Sequence, residues 1–94
     1  MARVHSIIQS EKVCLLCGRP WGLELHHAIP GNGRRKIADR EGLVVWLCYD
    51  HHRRLHDKGE NDMEIRRHAQ KIWMSVNGKT VEDFISTFGK SYLG

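Results

Sequence analysis

The sequence has no apolar run that approaches membrane-spanning length, and it does not open with the cationic and apolar regions of a signal peptide. It also has no internal repeat or low-complexity segment. Its three cysteines are an odd number, which does not complete a set of internal disulfides. These absences argue against membrane, repeat and disulfide-framework proteins. They predict that the protein is located in a reducing cytoplasm, where cysteines of suitable spacing bind metal.

The composition is that of one small folded domain, residues 1–94. Hydrophobic residues make up 40% of the chain, which suits a globular protein. A domain of this size has a thin core, so a bound metal ion would add useful stability. The formal net charge of +4 favours a polyanionic partner such as nucleic acid. Charge alone, however, is more typical of a basic domain that binds none.

The most informative stretch is 47–56, which holds one cysteine and three histidines in ten positions. Cys48 and His51 are three apart, the usual spacing of paired ligands in a zinc knuckle. His52 and His56 are four apart and share one face of a helix. His51 and His52 are neighbours, which point about 100° apart on a helix. One short helix could therefore supply ligands to two metal ions.

A second half-site lies upstream at Cys14 and Cys17. The pair forms Cys-x-x-Cys, and Gly18 directly after it permits the tight turn of a knuckle. Thioredoxin-like redox motifs share this spacing, but no strand–helix–strand pattern surrounds it here. Together with Cys48 and His51, the pair predicts a tetrahedral zinc site closed by four protein ligands, which marks it as structural.

Paired histidines lie in an alternating segment, 23–29, which predicts a short strand. On a strand His26 and His27 point to opposite faces and have different roles. With His52 and His56 they predict a second centre, in which three imidazoles hold a divalent ion and leave positions open for water or a phosphate oxygen. The fourth histidine could act as general base near neutral pH. The alternative is that the paired histidines are incidental surface residues.

Residues 43–47 have strong β-propensity and are predicted to pair with 23–29 in a two-stranded antiparallel ribbon. Such a ribbon is marginal alone and needs the support of a helix, predicted from about residue 50 to 58 and ended by Gly59. The apolar patch within 1–11 predicts either one helical turn or an extended arm on the core.

Two C-terminal helices are predicted to close the core. The first begins at a capping-box-like sequence, 61–64, and stops at 77–78, and the second runs from about residue 80 to Gly89. Cations on the first helix are expected to be a solvated face. These cations are Arg66, Arg67 and Lys71. The apolar stripe of the first helix consists of Ile65, Ala69, Ile72, Trp73 and Val76. The apolar residues of the second helix are Phe84, Ile85 and Phe88.

The connection 31–42 is bounded by glycines and strongly basic, with a short helix predicted from about residue 34 to 40. Consecutive cations beside a histidine cluster suit contacts to DNA phosphates, and a solvated basic loop is the equal alternative. The candidate DNA contacts are Arg34, Arg35, Lys36 and Arg53.

The order Cys-x-x-Cys, Leu-Glu-Leu-His-His, Leu-Cys-Tyr-Asp-His-His-Arg-Arg-Leu-His resembles the zinc-knuckle form of the HNH, or ββα-metal, endonucleases. The likeness covers a core of residues 13–58, and the whole chain is similar to small HNH-type proteins of bacterial prophages. It implies an α+β, treble-clef-like ββα-metal fold with a helical extension, 60–94. His51 stands where members with four knuckle cysteines carry the last of them.

The resemblance also implies the chemistry: hydrolysis of DNA phosphodiester bonds in phage or mobile-element biology, by a monomer or homodimer. His26, His52 and His56 match ligands of a catalytic Mg²⁺, Mn²⁺, Ni²⁺ or Zn²⁺, and His27 matches the general base that activates water. Gly42 stands where the family has an asparagine that orients the base or assists the metal. Asn32, ten residues earlier, is the only asparagine of the connection and could take its place; otherwise the activity would be weak or absent. The alternatives are therefore a catalytically silent zinc-containing DNA-binding module and a protein-interaction scaffold.

Overall fold

The computed structural model describes residues 6–29 and 34–93, without the side chains of residues 34 and 35. It is a small α+β arrangement of one two-stranded antiparallel sheet and helices. Within the described ranges, no helix is long and apolar enough to cross a membrane. The elements in chain order are β1 (Leu23–His27), α1 (Arg34–Glu41), β2 (Val44–Cys48), α2 (Tyr49–Lys58), α3 (Asp62–Asn77) and α4 (Val81–Phe88).

The two strands form one ribbon, in which Leu23 lies opposite Cys48 and His27 lies opposite Val44. Helix α2 packs on both strands, and β2 is the more deeply buried of the two. The predicted ribbon and its supporting helix are therefore confirmed. This packing is required, because two strands alone have too little apolar contact to be stable in water.

The strand boundaries differ from the predicted 23–29 and 43–47. Strand β1 ends two residues earlier, although the amide of Ala28 still donates to the carbonyl of Leu43 at 3.0 Å. Strand β2 begins one residue later, because the amide of Leu43 donates to the carbonyl of Ala38 at 2.8 Å and so completes the end of α1.

Helix α1 confirms the short helix predicted in the basic connection, and it packs on β1 and α4. The chain leaves it at Gly42, whose φ is 77° and whose amide donates to the carbonyl of Asp39 at 3.2 Å. Residues with side chains rarely adopt this left-handed conformation, so glycine lets the helix turn directly into β2. The predicted loop residues 31–33 lie outside the described residues.

Helix α2 begins immediately after β2, and Cys48 is both the last strand residue and the N-cap residue of the helix. The helix ends as predicted at Gly59, whose φ is 71° and whose amide donates to the carbonyl of Leu55 at 2.8 Å. Because no loop separates strand from helix, the first turn of α2 is fixed in direction by the ribbon.

The described part of the N-terminal segment forms no helical turn and instead follows the outer edge of β2. Ile7 donates its amide to the carbonyl of Gly42 at 2.9 Å, and the Ser6 hydroxyl donates to the carbonyl of Val44. The side-chain oxygen of Gln9 accepts from the amide of Trp46 at 2.7 Å. The segment therefore satisfies backbone groups that a ribbon edge would otherwise leave unpaired.

Two details of the C-terminal helices correct the sequence prediction. Asn61, the N-cap residue of α3, is left-handed with φ 63° and caps no amide with its side chain, so the predicted capping box is absent there. Val76 was expected in the apolar stripe but is 63% exposed. At α4 a capping box is present, in which the Thr80 side chain accepts from the Asp83 amide and the Asp83 carboxylate accepts from the Thr80 amide.

The core beneath α3 and α4 is aromatic. Phe84 is fully buried, with its ring centroid 5.5 Å from that of Trp73 and 4.6 Å from that of Phe88. The indole N–H of Trp73 donates to the carboxylate of Glu41 at 3.0 Å, which ties α3 to the end of α1. The helical extension therefore holds α1 in position over the ribbon.

Replacing Phe84 by alanine is expected to lower the free energy of unfolding by about 3–5 kcal/mol, because a fully buried aromatic ring leaves a cavity. Val76→Ala is the matched control on the exposed face of α3 and is expected to change it by less than about 0.5 kcal/mol. Urea denaturation followed by circular dichroism measures both. Equal losses in the two variants would contradict this description of the core.

Candidate metal centres

Four candidate ligand atoms meet where β2 becomes α2. Cys14 and Cys17 lie in a turn closed by the amide of Gly18, which donates to the carbonyl of Cys14 at 2.8 Å. Cys48 ends the strand and His51 lies in the first turn of the helix. One ligand atom from each of the three cysteines and from His51 lies within 4.8 Å of all the others. The structure thus brings together the four residues predicted for the closed centre.

The separations within this centre fit a tetrahedral ion. The Sγ atom of Cys48 lies 3.2 Å from Nδ1 of His51, that of Cys14 lies 3.8 Å from the same nitrogen, and those of Cys17 and Cys48 are 3.9 Å apart. Zinc–sulfur bonds of about 2.3 Å and zinc–nitrogen bonds of about 2.05 Å place neighbouring ligands about 3.6–3.8 Å apart. The measured distances lie within about 0.4 Å of that range, so the four side chains fit a zinc ion.

The backbone around the cysteine centre already favours one thiolate. Burial raises the pKa of Cys14, but hydrogen bonds from the backbone of Cys48, Leu16 and Cys17 outweigh it and lower that pKa to about 6. For Cys17, hydrogen bonding with the backbone of Arg19 lowers the pKa, but burial and the neighbouring sulfur atoms outweigh it and raise the pKa. Three thiolates so close together repel one another, which a divalent cation between them would relieve.

A second cluster joins β1 to the exposed side of α2. One ring nitrogen of each of His26, His52 and His56 lies within 4.8 Å of the other two. The Nε2 atoms of His52 and His56 are 3.0 Å apart, close to the separation of about 3.3 Å for two nitrogens bound to one tetrahedral ion. These are the three residues predicted as ligands of the open centre.

Glu24 fixes the orientation of one of these ligands. Its carboxylate lies 2.9 Å from Nδ1 of His52. An ionised carboxylate only accepts hydrogen bonds, so Nδ1 of His52 carries the proton and Nε2 keeps a free lone pair toward His56. A carboxylate behind a ligating imidazole is a common feature of metal sites and strengthens the ligand.

His26 is kept neutral by its surroundings. It is only 8% exposed. Burial, and then the charges of His52 and His56, lower its pKa from the ordinary 6.5 to about 4. A neutral imidazole retains the lone pair that a metal ion needs, so His26 is available as a ligand at neutral pH.

His27 lies outside this ligand group, as strand alternation predicts. Its Nε2 is 2.7 Å from the carboxylate of Asp39 on α1. His27 nevertheless lines a cleft of about 240 Å³, together with His26 and His56 of the ligand group. The residues that line the cleft are His26, His27, Leu55, His56, Asp62 and Arg66.

Two carboxylates that contact the histidines were missed from the sequence. Glu24 had a usable signal, since it lies two positions before His26 and shares its face of the strand. Asp39 had none, because its approach to His27 depends on how α1 packs. The expectation that Arg66 is solvated is wrong: its side chain is 23% exposed, lines the cleft and donates twice to Asp62, at 2.6 and 3.1 Å.

The candidate DNA-contacting cations are less closely tied to the site. Lys36 is exposed on α1. Arg53 is exposed on α2, with its Nε 3.7 Å from the carboxylate of Asp57. Helix α1 includes Arg34 and Arg35, but their side chains lie outside the described residues. Lys36 and Arg53 are therefore exposed to solvent, although Arg53 already has an acidic neighbour in Asp57.

No protein-family model matches the chain, and neither a curated protein nor a solved structure matches it. The interpretation of both centres therefore depends on side-chain chemistry and distances alone. These give two clusters of different kinds: one with four protein ligands, and one with three imidazoles beside a cleft.

Removal of the metal from the cysteine centre is expected to unfold the region around it. Structural zinc in small domains contributes apparent binding free energies of about 10–16 kcal/mol, more than a thin core leaves as net stability. Excess chelator should therefore abolish the cooperative thermal transition seen by circular dichroism. His51→Ala should weaken zinc retention, whereas His68→Ala, an exposed histidine on α3, should not. An unchanged melting curve in protein shown to be metal-free would contradict the assignment.

The lowered pKa of His26 predicts acid destabilisation. Between pH 6.5 and about 4 the unfolded chain binds a proton that the folded chain excludes. The contribution of neutral His26 is therefore complete above pH 6.5 and is lost as the pH falls toward 4. Urea denaturation at several pH values, without added divalent ions, should show a steeper loss of stability in wild type than in His26→Gln. Parallel curves would count against the burial described for His26.

Proposed function

We propose that the protein is a metal-dependent endonuclease of the HNH, or ββα-metal, type that hydrolyses phosphodiester bonds of DNA. The observation that carries the proposal is the position of His27, which lines the same cleft as His26 and His56 but does not belong to the three-histidine cluster. A metal site needs only ligands, whereas hydrolysis also needs a base beside the metal. His26 is then a ligand of the metal ion, and its neighbour His27 is the base.

In this proposal the cysteine centre has a structural role and holds zinc. It joins the turn at Cys14 and Cys17 to the start of α2, so that turn, ribbon and helix form a treble-clef-like ββα unit. The unit fixes the direction of α2 and thereby the places of His52 and His56. A closed four-ligand site is suited to this task, because it has no position left for substrate.

The histidine centre has the catalytic role. A divalent ion held by His26, His52 and His56 (Mg²⁺, Mn²⁺, Ni²⁺ or Zn²⁺) would polarise the scissile phosphate and stabilise negative charge on the departing 3′ oxygen. His27 takes a proton from the attacking water, which leaves 5′-phosphate and 3′-hydroxyl ends. The three protein ligands are consistent with this role, because coordination positions stay open for water and a phosphate oxygen.

DNA is the proposed substrate because the positive charge of the protein suits a polyanion. The net charge is +4, Lys36 and Arg53 are exposed, and Arg66 lines the cleft. With one catalytic centre per chain, a monomer would nick one strand, and a double-strand cut would need a homodimer or two successive nicks. The sequence resemblance to prophage-carried proteins supports the further proposal of a role in phage or mobile-element biology, in the cytoplasm of a bacterial host.

A catalytically silent zinc-containing DNA-binding module is the second candidate, favoured by Gly42. Glycine has no side chain with which to replace the asparagine expected at this position. Elemental analysis separates the two candidates. Two metal ions per chain, one of them exchangeable, support the nuclease, and a single tightly bound zinc with salt-dependent DNA binding supports the module.

His27→Ala is expected to abolish nicking of a supercoiled plasmid in the presence of Mg²⁺, Mn²⁺ or Ni²⁺. Loss of a general base costs about 10²–10⁴-fold in rate. Gel separation of supercoiled, nicked and linear forms over time measures the effect. His68→Ala is the matched control, because it removes an exposed imidazole from α3 and should leave the rate unchanged.

Cleavage by His27→Ala at the wild-type rate would remove His27 as the base. Absence of cleavage by zinc-loaded, folded wild type in every metal would instead reject the nuclease proposal. Circular dichroism and zinc content are measured on each variant, so that loss of activity is not confused with loss of the fold.

A further inference from the structure

We propose that Asp39 is the positioning residue of His27 and supplies, from helix α1, the side chain that Gly42 lacks. This inference rests on the proposed function, since it concerns how the general base is held. It assigns a role to a residue that the sequence did not single out.

The contact itself is short and directional. Nε2 of His27 lies 2.7 Å from Oδ1 of Asp39. Because an ionised carboxylate only accepts, Nε2 carries the proton and Nδ1 keeps its lone pair. The His27 side chain is 18% exposed and that of Asp39 is 44% exposed, so the pair is partly shielded from solvent while the carboxylate stays hydrated. Asp39 thus fixes both the tautomer and the plane of the ring.

The backbone around Asp39 is anchored well enough to hold a carboxylate in place. Its carbonyl accepts from the amide of Gly42 at 3.2 Å, and the carbonyl of the fully buried Ala38 accepts from Leu43 at 2.8 Å. Helix α1 packs on β1, which carries His27, and on α4. The left-handed turn at Gly42 thus ends α1 with Asp39 facing the strand. Asp39, three residues before Gly42, supplies the polar side chain that glycine lacks.

This arrangement suits a general base throughout the reaction. A proton passes from water to Nδ1 of His27 as the bond from water oxygen to phosphorus forms and the bond from phosphorus to the 3′ oxygen breaks. The 3′ oxygen then takes a proton from solvent. The Nε2–H proton stays on the ring and keeps its hydrogen bond to Asp39, whose carboxylate stabilises the imidazolium.

Asp39→Ala tests the proposal in two independent ways. Plasmid nicking at saturating DNA is expected to slow by on the order of 10²-fold, with KM for DNA unchanged, because Asp39 orients the base and does not touch substrate. In ¹⁵N-labelled protein with zinc in the cysteine centre and no other divalent ion, wild type should show a protected, downfield His27 Nε2–H signal. Asp39→Ala and His27→Ala should both lack it.

Two further variants separate positioning from charge and folding. Asp57→Ala removes an exposed carboxylate from α2 and is expected to keep both the nicking rate and the Nε2–H signal, so it controls for the change in net charge. Asp39→Asn keeps an acceptor oxygen at the same place and is expected to retain the signal and recover part of the rate. Zinc content and circular dichroism should match wild type in all of them.

The proposal is overturned if Asp39→Ala cleaves at the wild-type rate or retains the protected Nε2–H signal. Failure of the nuclease proposal looks different: wild type itself would not cleave in any metal, while the Nε2–H signal would still report on the contact between His27 and Asp39.

Discussion

The direct continuation of strand β2 into helix α2 at Cys48 is the constraint on which the rest of the structure depends. With no loop between them, the ribbon sets the direction of the helix, and adjacent positions on its first turn point about 100° apart. His51 therefore meets Cys14 and Cys17, while His52 meets His26. The cysteine cluster and the histidine cluster are thus joined by a single peptide bond, between His51 and His52. Disorder in the cysteine cluster would therefore displace the histidine cluster.

Carboxylates complete the histidine region. Glu24 lies behind His52 and Asp39 lies behind His27, each at hydrogen-bonding distance from a ring nitrogen. They come from different elements, β1 and α1, so the precision of the region depends on how the helical extension holds α1 against the ribbon. The aromatic cluster around Phe84 and the bond from Trp73 to Glu41 therefore act on the site through packing.

Which residues cluster could be predicted from local spacing. Cys-x-x-Cys spacing predicts that Cys14 and Cys17 meet across a tight turn, and a separation of four places His52 and His56 on one face of a helix. The structure brings these pairs into two separate clusters. The sequence also predicted the ribbon and the four helices of residues 6–29 and 34–93. Local spacing cannot find contacts set by packing between elements distant in sequence. Asp39 was missed for this reason. The position of Arg66 in the cleft was missed as well, because the sequence around it is typical of a solvated helix face.

The N-terminal arm has a consequence for how the protein behaves when shortened. Ser6 and Gln9 occupy backbone groups of Val44 and Trp46 along the outer edge of β2. Without the arm, that edge would present unpaired amides and carbonyls beside apolar side chains, which is a template for strand pairing between molecules. Self-association or aggregation of a chain trimmed past Gln9 would thus arise from the bare edge, and would be no evidence for a dimer of the intact protein.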